Sequence, residues 1–226
     1  MNRKASELEK ELYKPLDEFL KRLKKKIKEL FAPLYVSGFD QLNVIMLNRK
    51  TAEMYMELDD FNRDNYLALV RHARAWAEKI LGNETKARDM REMVNKYLSG
   101  YDPVTQYVYT KEVDRKRMRL NEAILTAKEF QDVVKLQKAI KKAADLWFTQ
   151  SSQYALDLMD MALTQVFEDD DVPEYRWVAV IDGKECEICH ERNGKIYAAD
   201  EYPSKPHYRC RCFKVPAKAY SSIFGP

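Results

Sequence analysis

Histidine and glycine are scarce in this chain, with three and six among 226 residues, and no long apolar run occurs. Without about eighteen consecutive apolar residues, no membrane-spanning helix is expected. So few glycines, together with only eight prolines, argue against collagen-like or low-complexity character. Glycine-rich phosphate loops are missing, which argues against a Rossmann or P-loop enzyme. No Ser/His/Asp set is evident, and three histidines leave acid–base catalysis few resources, so a non-enzymatic protein is expected. The opening Met1-Asn2-Arg3-Lys4 is basic but leads into charged sequence rather than an apolar core, so no secretory signal is expected.

Composition is that of an ordinary soluble chain, long enough to bury a core without staples. The net charge of +3 neither demands nor excludes a nucleic-acid partner. Its distribution is more telling. Residues 21–28 (KRLKKKIK) are mostly basic, residues 111–119 lean basic, and Glu168-Asp169-Asp170-Asp171 is a solid acidic run. The first of these reads most simply as the wet side of an amphipathic helix.

Helical periodicity dominates up to about Phe167. Leu8, Leu12, Leu16, Phe19, Leu20, Leu23, Ile27 and Leu30 recur at three- and four-residue spacing, one apolar stripe with a highly charged opposite face. Pro15 predicts a kink or a helix start within it. Ala32-Pro33 and Ser37-Gly38 mark a break. Further helices are expected over 40–58, 62–81 (closed by Gly82) and 85–98 (closed by Gly100), then a turn at Tyr101-Asp102-Pro103. Residues 106–110 (QYVYT) read as a brief extended piece. Residues 111–167 are helical again, with a capping box at Thr126 and Glu129 predicting a start near Ala127. The Met and aromatic stripes here read as core, not as a cofactor box. The acidic run and Pro173 then predict a helix end or linker, followed by strands near 175–181, 195–198 and 210–215, with turns at Asp182-Gly183 and Asn193-Gly194. The fold class expected is α+β, mostly α: an elongated multi-helix body followed by a small β-rich module. The domains expected are residues 1–38 (amphipathic helix and linker), 39–170 (helical) and 171–226 (metal-binding).

The chemistry concentrates in that last part. All four cysteines lie in one segment, as Cys186-x2-Cys189 and Cys210-x-Cys212, with His207 three residues before Cys210. A secreted disulfide framework spreads its cysteines to close long loops, whereas close pairs point to a metal. Zinc takes four sulfur or nitrogen ligands in a tetrahedron, and the interval between the pairs is close to the fifteen to twenty residues or so usual for zinc pairs. If residues 210–215 form a strand, Cys210 and Cys212 share one face of it. Five candidates, Cys186, Cys189, His207, Cys210 and Cys212, compete for four places: the four cysteines, or His207 with one of the last two. All places can be filled by protein, so one structural zinc per chain is expected, not a catalytic one. A unit of some fifty residues needs such a staple. His190 is expected exposed or beside the site, and His72 on a helix surface.

The strings Tyr175-Arg176-Trp177-Val178-Ala179-Val180-Ile181-Asp182, Cys186-Glu187-Ile188-Cys189, Asn193-Gly194-Lys195-Ile196-Tyr197, Pro206-His207 and Cys210-Arg211-Cys212 resemble the C-terminal signature of a known family. It is the phage Mu protein F-like family, the minor head or head morphogenesis proteins of tailed bacteriophages. The match covers residues 174–216 and is loose before them. Relatives often carry an Arg-Thr-Glu helix where this chain reads Phe148-Thr149-Gln150-Ser151, and a Thr where it has Glu185. The resemblance implies a virion component present in few copies, associated with the portal protein and the capsid interior, and made in the host cytoplasm. It also implies major capsid or scaffold protein, and packaged DNA, as further partners. Some relatives carry a toxin or transferase domain after the module, and none is expected here past Pro216.

From the residues alone, the 8–30 helix is the candidate partner-binding element, by helix-in-groove packing. Two other functions compete. A metal-dependent nuclease would use His190 or His207 on a hydrolytic metal. A zinc-ribbon DNA-binding protein would bind duplex with steep salt dependence. Replacing Cys186 or Cys189 is expected to unfold the module and spare the long helices.

Overall fold

The structure, a computed structural model, describes residues 2–36, 44–85, 89–99, 103–181, 183 and 185–224, with the side chains of residues 2, 36, 99 and 103–113 left aside. It is mostly helical, with one small sheet near the C-terminal end. In chain order the elements are α1 (Asn2–Val36), α2 (Val44–Leu81), α3 (Met90–Ser99), α4 (Pro103–Glu129), α5 (Val133–Asp169), β1 (Glu174–Val178), α6 (Glu187–Arg192), β2 (Ile196–Ala198), β3 (Phe213–Pro216) and α7 (Ala217–Phe224). The Ser37-Gly38 break, the start at Asp40, Gly100, Tyr101-Asp102 and Asp182 lie outside the described residues.

Several expected boundaries move, each for a local reason. The first helix neither starts nor stops at Pro15 but runs through it. The helices expected over 40–58 and 62–81 are one, α2. Within it Arg63 pairs with Asp59 one turn back at 2.7 Å, and Asn65 donates to the Phe61 carbonyl. Asn62, where the third helix was expected to start, is fully buried and donates to Ser151 Oγ at 2.9 Å. Residues 106–110 are not extended but lie inside α4, which opens on Pro103. Proline suits a first helical position, where its missing N–H costs nothing.

The capping box at Thr126 does not start a helix, because α4 continues to Glu129. The chain then reverses through Gln131 at φ 50°, with Asp132 N–H bonded to the Ala127 carbonyl and Gln131 N–H to Lys128. This is a Schellman C-cap. Asp132 then begins α5, its carboxylate accepting from Lys135 N–H at 2.8 Å. A second Schellman cap, on Asp171 at φ 49°, ends α5 where the acidic run predicted an end.

Contacts divide the chain into two compact units. One comprises residues 19–67 and 91–152. Phe19, Leu23, Ile27, Phe31 and Leu34 of α1 are buried, as are Leu47, Tyr55, Leu58 and Tyr66 of α2, Leu120 and Ile124 of α4, and Ile140 and Trp147 of α5. Phe19 meets Tyr66 edge-on at 5.8 Å, and Tyr55 meets Trp147 at 5.1 Å. The apolar stripe of α1 is therefore committed to the core. Leu20 and Leu30 are its only partly exposed members, so this stripe is not open to helix-in-groove docking.

The other unit comprises residues 1–18, 68–90 and 153–226. Its sheet has the order β2-β1-β3, antiparallel throughout, with Tyr175 opposite Tyr197 and Pro216, and Trp177 opposite Lys214. Trp76 of α2 packs edge-on against Phe213 at 5.6 Å, and Phe167 of α5 meets Tyr175 at 5.7 Å. Helix ends and C-terminal module thus share one core.

Candidate metal centre

Each metal-binding candidate is delivered by a local device. Cys186 is the N-cap of α6, and its Sγ accepts from the Cys189 N–H at 3.4 Å. That turn sets both thiols on one side. His207 and Cys210 are joined by a turn in which Cys210 N–H reaches the His207 carbonyl at 3.3 Å, with Arg209 in the left-handed region at φ 58°. Gln153 of α5 steadies it by accepting from Arg209 N–H at 3.0 Å. The last strand begins at Phe213, not at Cys210. Cys210 and Cys212 therefore converge from irregular chain ahead of the strand, and not by strand alternation.

The structure brings all five candidates together. Cys186, Cys189 and His207 form one set with ligand atoms within 4.8 Å of one another, and Cys189, Cys210 and Cys212 form another. Cys189 belongs to both. The four thiols are unbridged, and the Cys189 and Cys210 sulfurs stand 3.6 Å apart, against about 2.05 Å in a disulfide. A tetrahedron with metal–sulfur bonds of about 2.3 Å has sulfur–sulfur edges near 3.8 Å. The Cys189 Sγ to His207 Nε2 distance of 3.5 Å matches a sulfur–nitrogen edge equally well. His207 Nδ1 lies 3.0 Å from the Tyr208 carbonyl. Donation there places the proton on Nδ1 and leaves the Nε2 lone pair toward the sulfurs, the tautomer a ligand needs. The cluster can hold a metal ion.

Burial gives these thiols an unequal readiness to ionise. Cys189 and Cys210 are almost fully buried and Cys212 nearly so. Desolvation pushes the Cys189 thiol up to about 12. Hydrogen bonding from Cys212, helped by the nearby Lys205 ammonium, holds Cys210 down at about 5. The same bond, with burial, raises Cys212. Cys210 is therefore the readiest of the three to ionise, and Cys189 and Cys212 resist it. Binding through these thiols must expel their protons, so apparent affinity is expected to fall at least tenfold for each pH unit lowered near neutrality. Competition titrations at several pH values, with proton release measured in buffers of different ionisation heat, check this. An affinity independent of pH would leave Cys189 and Cys212 out of the ligand set.

The surroundings fix the cluster on the helices of its own unit. Trp177 and Ala179 pack on the buried cysteines, and Trp177 stacks on Tyr202 at 5.4 Å. Gly194, at φ 82°, lets the chain turn tightly enough for its N–H to reach the Trp177 carbonyl at 2.8 Å. Asn193 Oδ1 accepts from Ala179 N–H. Arg211, between the last two cysteines, forms a two-pronged bond to Asp17 at 3.1 and 3.2 Å and an ion pair with Glu9 at 2.7 Å. Tyr13 of α1, fully buried, donates to the Cys212 carbonyl at 3.4 Å, and Lys205 lies against Tyr13 and Asp160.

Sequence reasoning missed Tyr13 and Asp160, since no spacing links them to the cysteines. His190 lies outside both sets and faces Glu185 at 3.4 Å. His72 sits on α2 with Nε2 3.1 Å from the Glu11 carbonyl. No family model, curated protein or solved structure matches the chain.

Proposed function

We propose that this protein is a structural, non-enzymatic component of a tailed-phage head, of the minor head type, in which one zinc ion clamps the C-terminal module to the helical ends around it. The observation that carries the proposal is the signature over residues 174–216 folded around its own cysteines. Those residues are the ones packed into the thiol cluster and its Trp177–Tyr202 support. Zinc is the metal favoured by a set of thiolates with one imidazole and no carboxylate, because soft sulfur ligands select it over magnesium or calcium. The role is structural, since five protein donors for four positions leave none for water or substrate. A nuclease would need a histidine beside the metal to work on water; His190 turns instead to Glu185 on the exposed side.

The partner would be the portal oligomer, with capsid or scaffold protein as further neighbours on the capsid interior. Since the apolar stripe of α1 is buried, docking would use other surfaces. Co-expression with a portal protein encoded beside it, followed by size-exclusion chromatography, tests this. Co-elution with the oligomer, and about one zinc per chain by metal analysis, are the expected results. A monomer that ignores portal at every salt concentration would overturn the head assignment, and a metal-free folded protein would overturn the clamp.

A further inference from the structure

Large apolar side chains left in water are unevenly placed. Among the described residues thirteen are exposed, and six of these come from two short stretches of one unit. Val44, Ile45 and Met46 lie in the first turn of α2, and Phe130, Val133 and Val134 lie at the turn from α4 to α5. Ile45 is 80% exposed and Phe130 69%. Val44-Ile45-Met46-Leu47 is an uninterrupted apolar run, which makes that turn apolar all round, yet only Leu47 is buried by its own unit.

Contacts inside the unit bring the two stretches to the same end. α4 and α5 form an antiparallel hairpin, with Lys116 meeting Gln150 and the chain reversing at Gln131. α2 runs beside α5 in the same direction, Tyr55 on Trp147 and Tyr66 on Ser151. It is therefore antiparallel to α4, and the Asn121 amide donates to Asn48 where the two meet. From that contact Ile45 is three residues back along α2, and Phe130 is nine residues on along α4. These are about 4.5 and about 13.5 Å along the two helices, so the hairpin overreaches the start of α2 by about 9 Å. That end of the unit has a raised apolar tip and a recessed apolar ledge. Its charge is balanced: residues 44–47 carry none, and residues 128–135 set Lys128 and Lys135 against Glu129 and Asp132.

We propose that two copies of this chain pair at this end about a twofold axis, the Phe130–Val133–Val134 tip of each seated on the Val44–Ile45–Met46 ledge of the other. A step of this kind is self-complementary, because under twofold symmetry a tip-on-ledge contact made once is made twice. Weighted by their exposure, the six side chains present roughly 650 Å² per chain, so two copies clear the ~1,000 Å² in total that a specific interface needs. Monomers rarely leave so much apolar surface together in water. Balanced charge means that the end does not repel its own copy. It also lacks the basic excess that draws a surface onto anionic lipid. A different protein with an apolar groove would take the tip and leave the ledge uncovered. The inference needs neither the head assignment nor the metal, since tip and ledge lie in the unit that does not contain the thiol cluster.

Sedimentation equilibrium of the purified chain, without portal, over about 1–200 μM tests it, since association follows mass action. The mass should rise with concentration from 26.7 kDa toward twice that value. Ile45→Lys or Val134→Glu alone should weaken association at least about tenfold, as loss of an interface anchor does. Met56→Lys, at a methionine 67% exposed farther along α2, should leave it within about twofold. Ile45→Lys/Val134→Glu in one chain should recover most of the loss, because the twofold contact then sets each lysine against a glutamate. An equimolar mixture of the two single variants should also pair, with one contact apolar and the other a charge pair. Helicity by circular dichroism should stay unchanged in every variant, since the replaced side chains are exposed. A mass of one chain at every concentration, an equal loss with Met56→Lys, or a double variant no better than the single ones would overturn the proposal.

Discussion

Cys189→Ser is expected to reduce bound metal from about one equivalent to near zero, and to lower the melting temperature more than substitution at any other cluster position. The reason is topological. Cys189 is the residue common to both close sets, so its loss breaks Cys186-Cys189-His207 and Cys189-Cys210-Cys212 together. His207→Ala or Cys212→Ser each breaks only one, and whichever of them retains metal names the spare donor. Structural zinc contributes on the order of 10 kcal/mol or more of apparent free energy in small modules, comparable to the whole stability of a domain. The loss should spread beyond the module, contrary to the expectation that the long helices are spared. Tyr13, Trp76 and Phe167, on three different helices, pack directly on or beside it. Far-UV circular dichroism should therefore show a fall in helicity. An unchanged helical signal with metal gone would mean that the C-terminal module melts alone.

The periodicity of α1 was legible because its stripe faces a core along the helix; the fused α2 was not, because Asp59-Asp60-Phe61-Asn62 looks like a turn until Asn62 finds Ser151, 89 residues away. Local capping signals compete in the same way: Thr126 and Glu129 form a plausible box, yet the chain turns at Gln131 and caps on Asp132. For the cluster, the five donors were all legible from spacing, since zinc chemistry restricts ligand types and intervals. What spacing could not supply was its seating. Tyr13 and Asp17 lie 199 and 194 residues from the groups they hold, and such pairings follow from tertiary packing, not from local sequence.

Trp177→Ala should destabilise the metal-loaded protein by about 3–5 kcal/mol, as large aromatic-to-alanine changes in cores do. Trp177 is among the largest fully buried side chains, with 1% of its surface exposed. It is stacked on Tyr202, covered by the Arg192 guanidinium at 5.1 Å, and packed with Cys189, Cys210 and Cys212. Truncation opens a cavity beside the thiols and lets water reach them, so metal affinity should fall as well. Trp177→Phe separates packing from polarity. The Trp177 Nε1 is buried with no hydrogen-bond partner among the described residues, so phenylalanine removes an unsatisfied donor while keeping most of the ring. Its cost should be under about 1.5 kcal/mol, the range of tolerated core swaps. Denaturant melts of the two variants with excess metal, and again after chelation, check both points. Equal losses in the two variants would mean that the indole N–H, not the volume of the ring, supports the cluster.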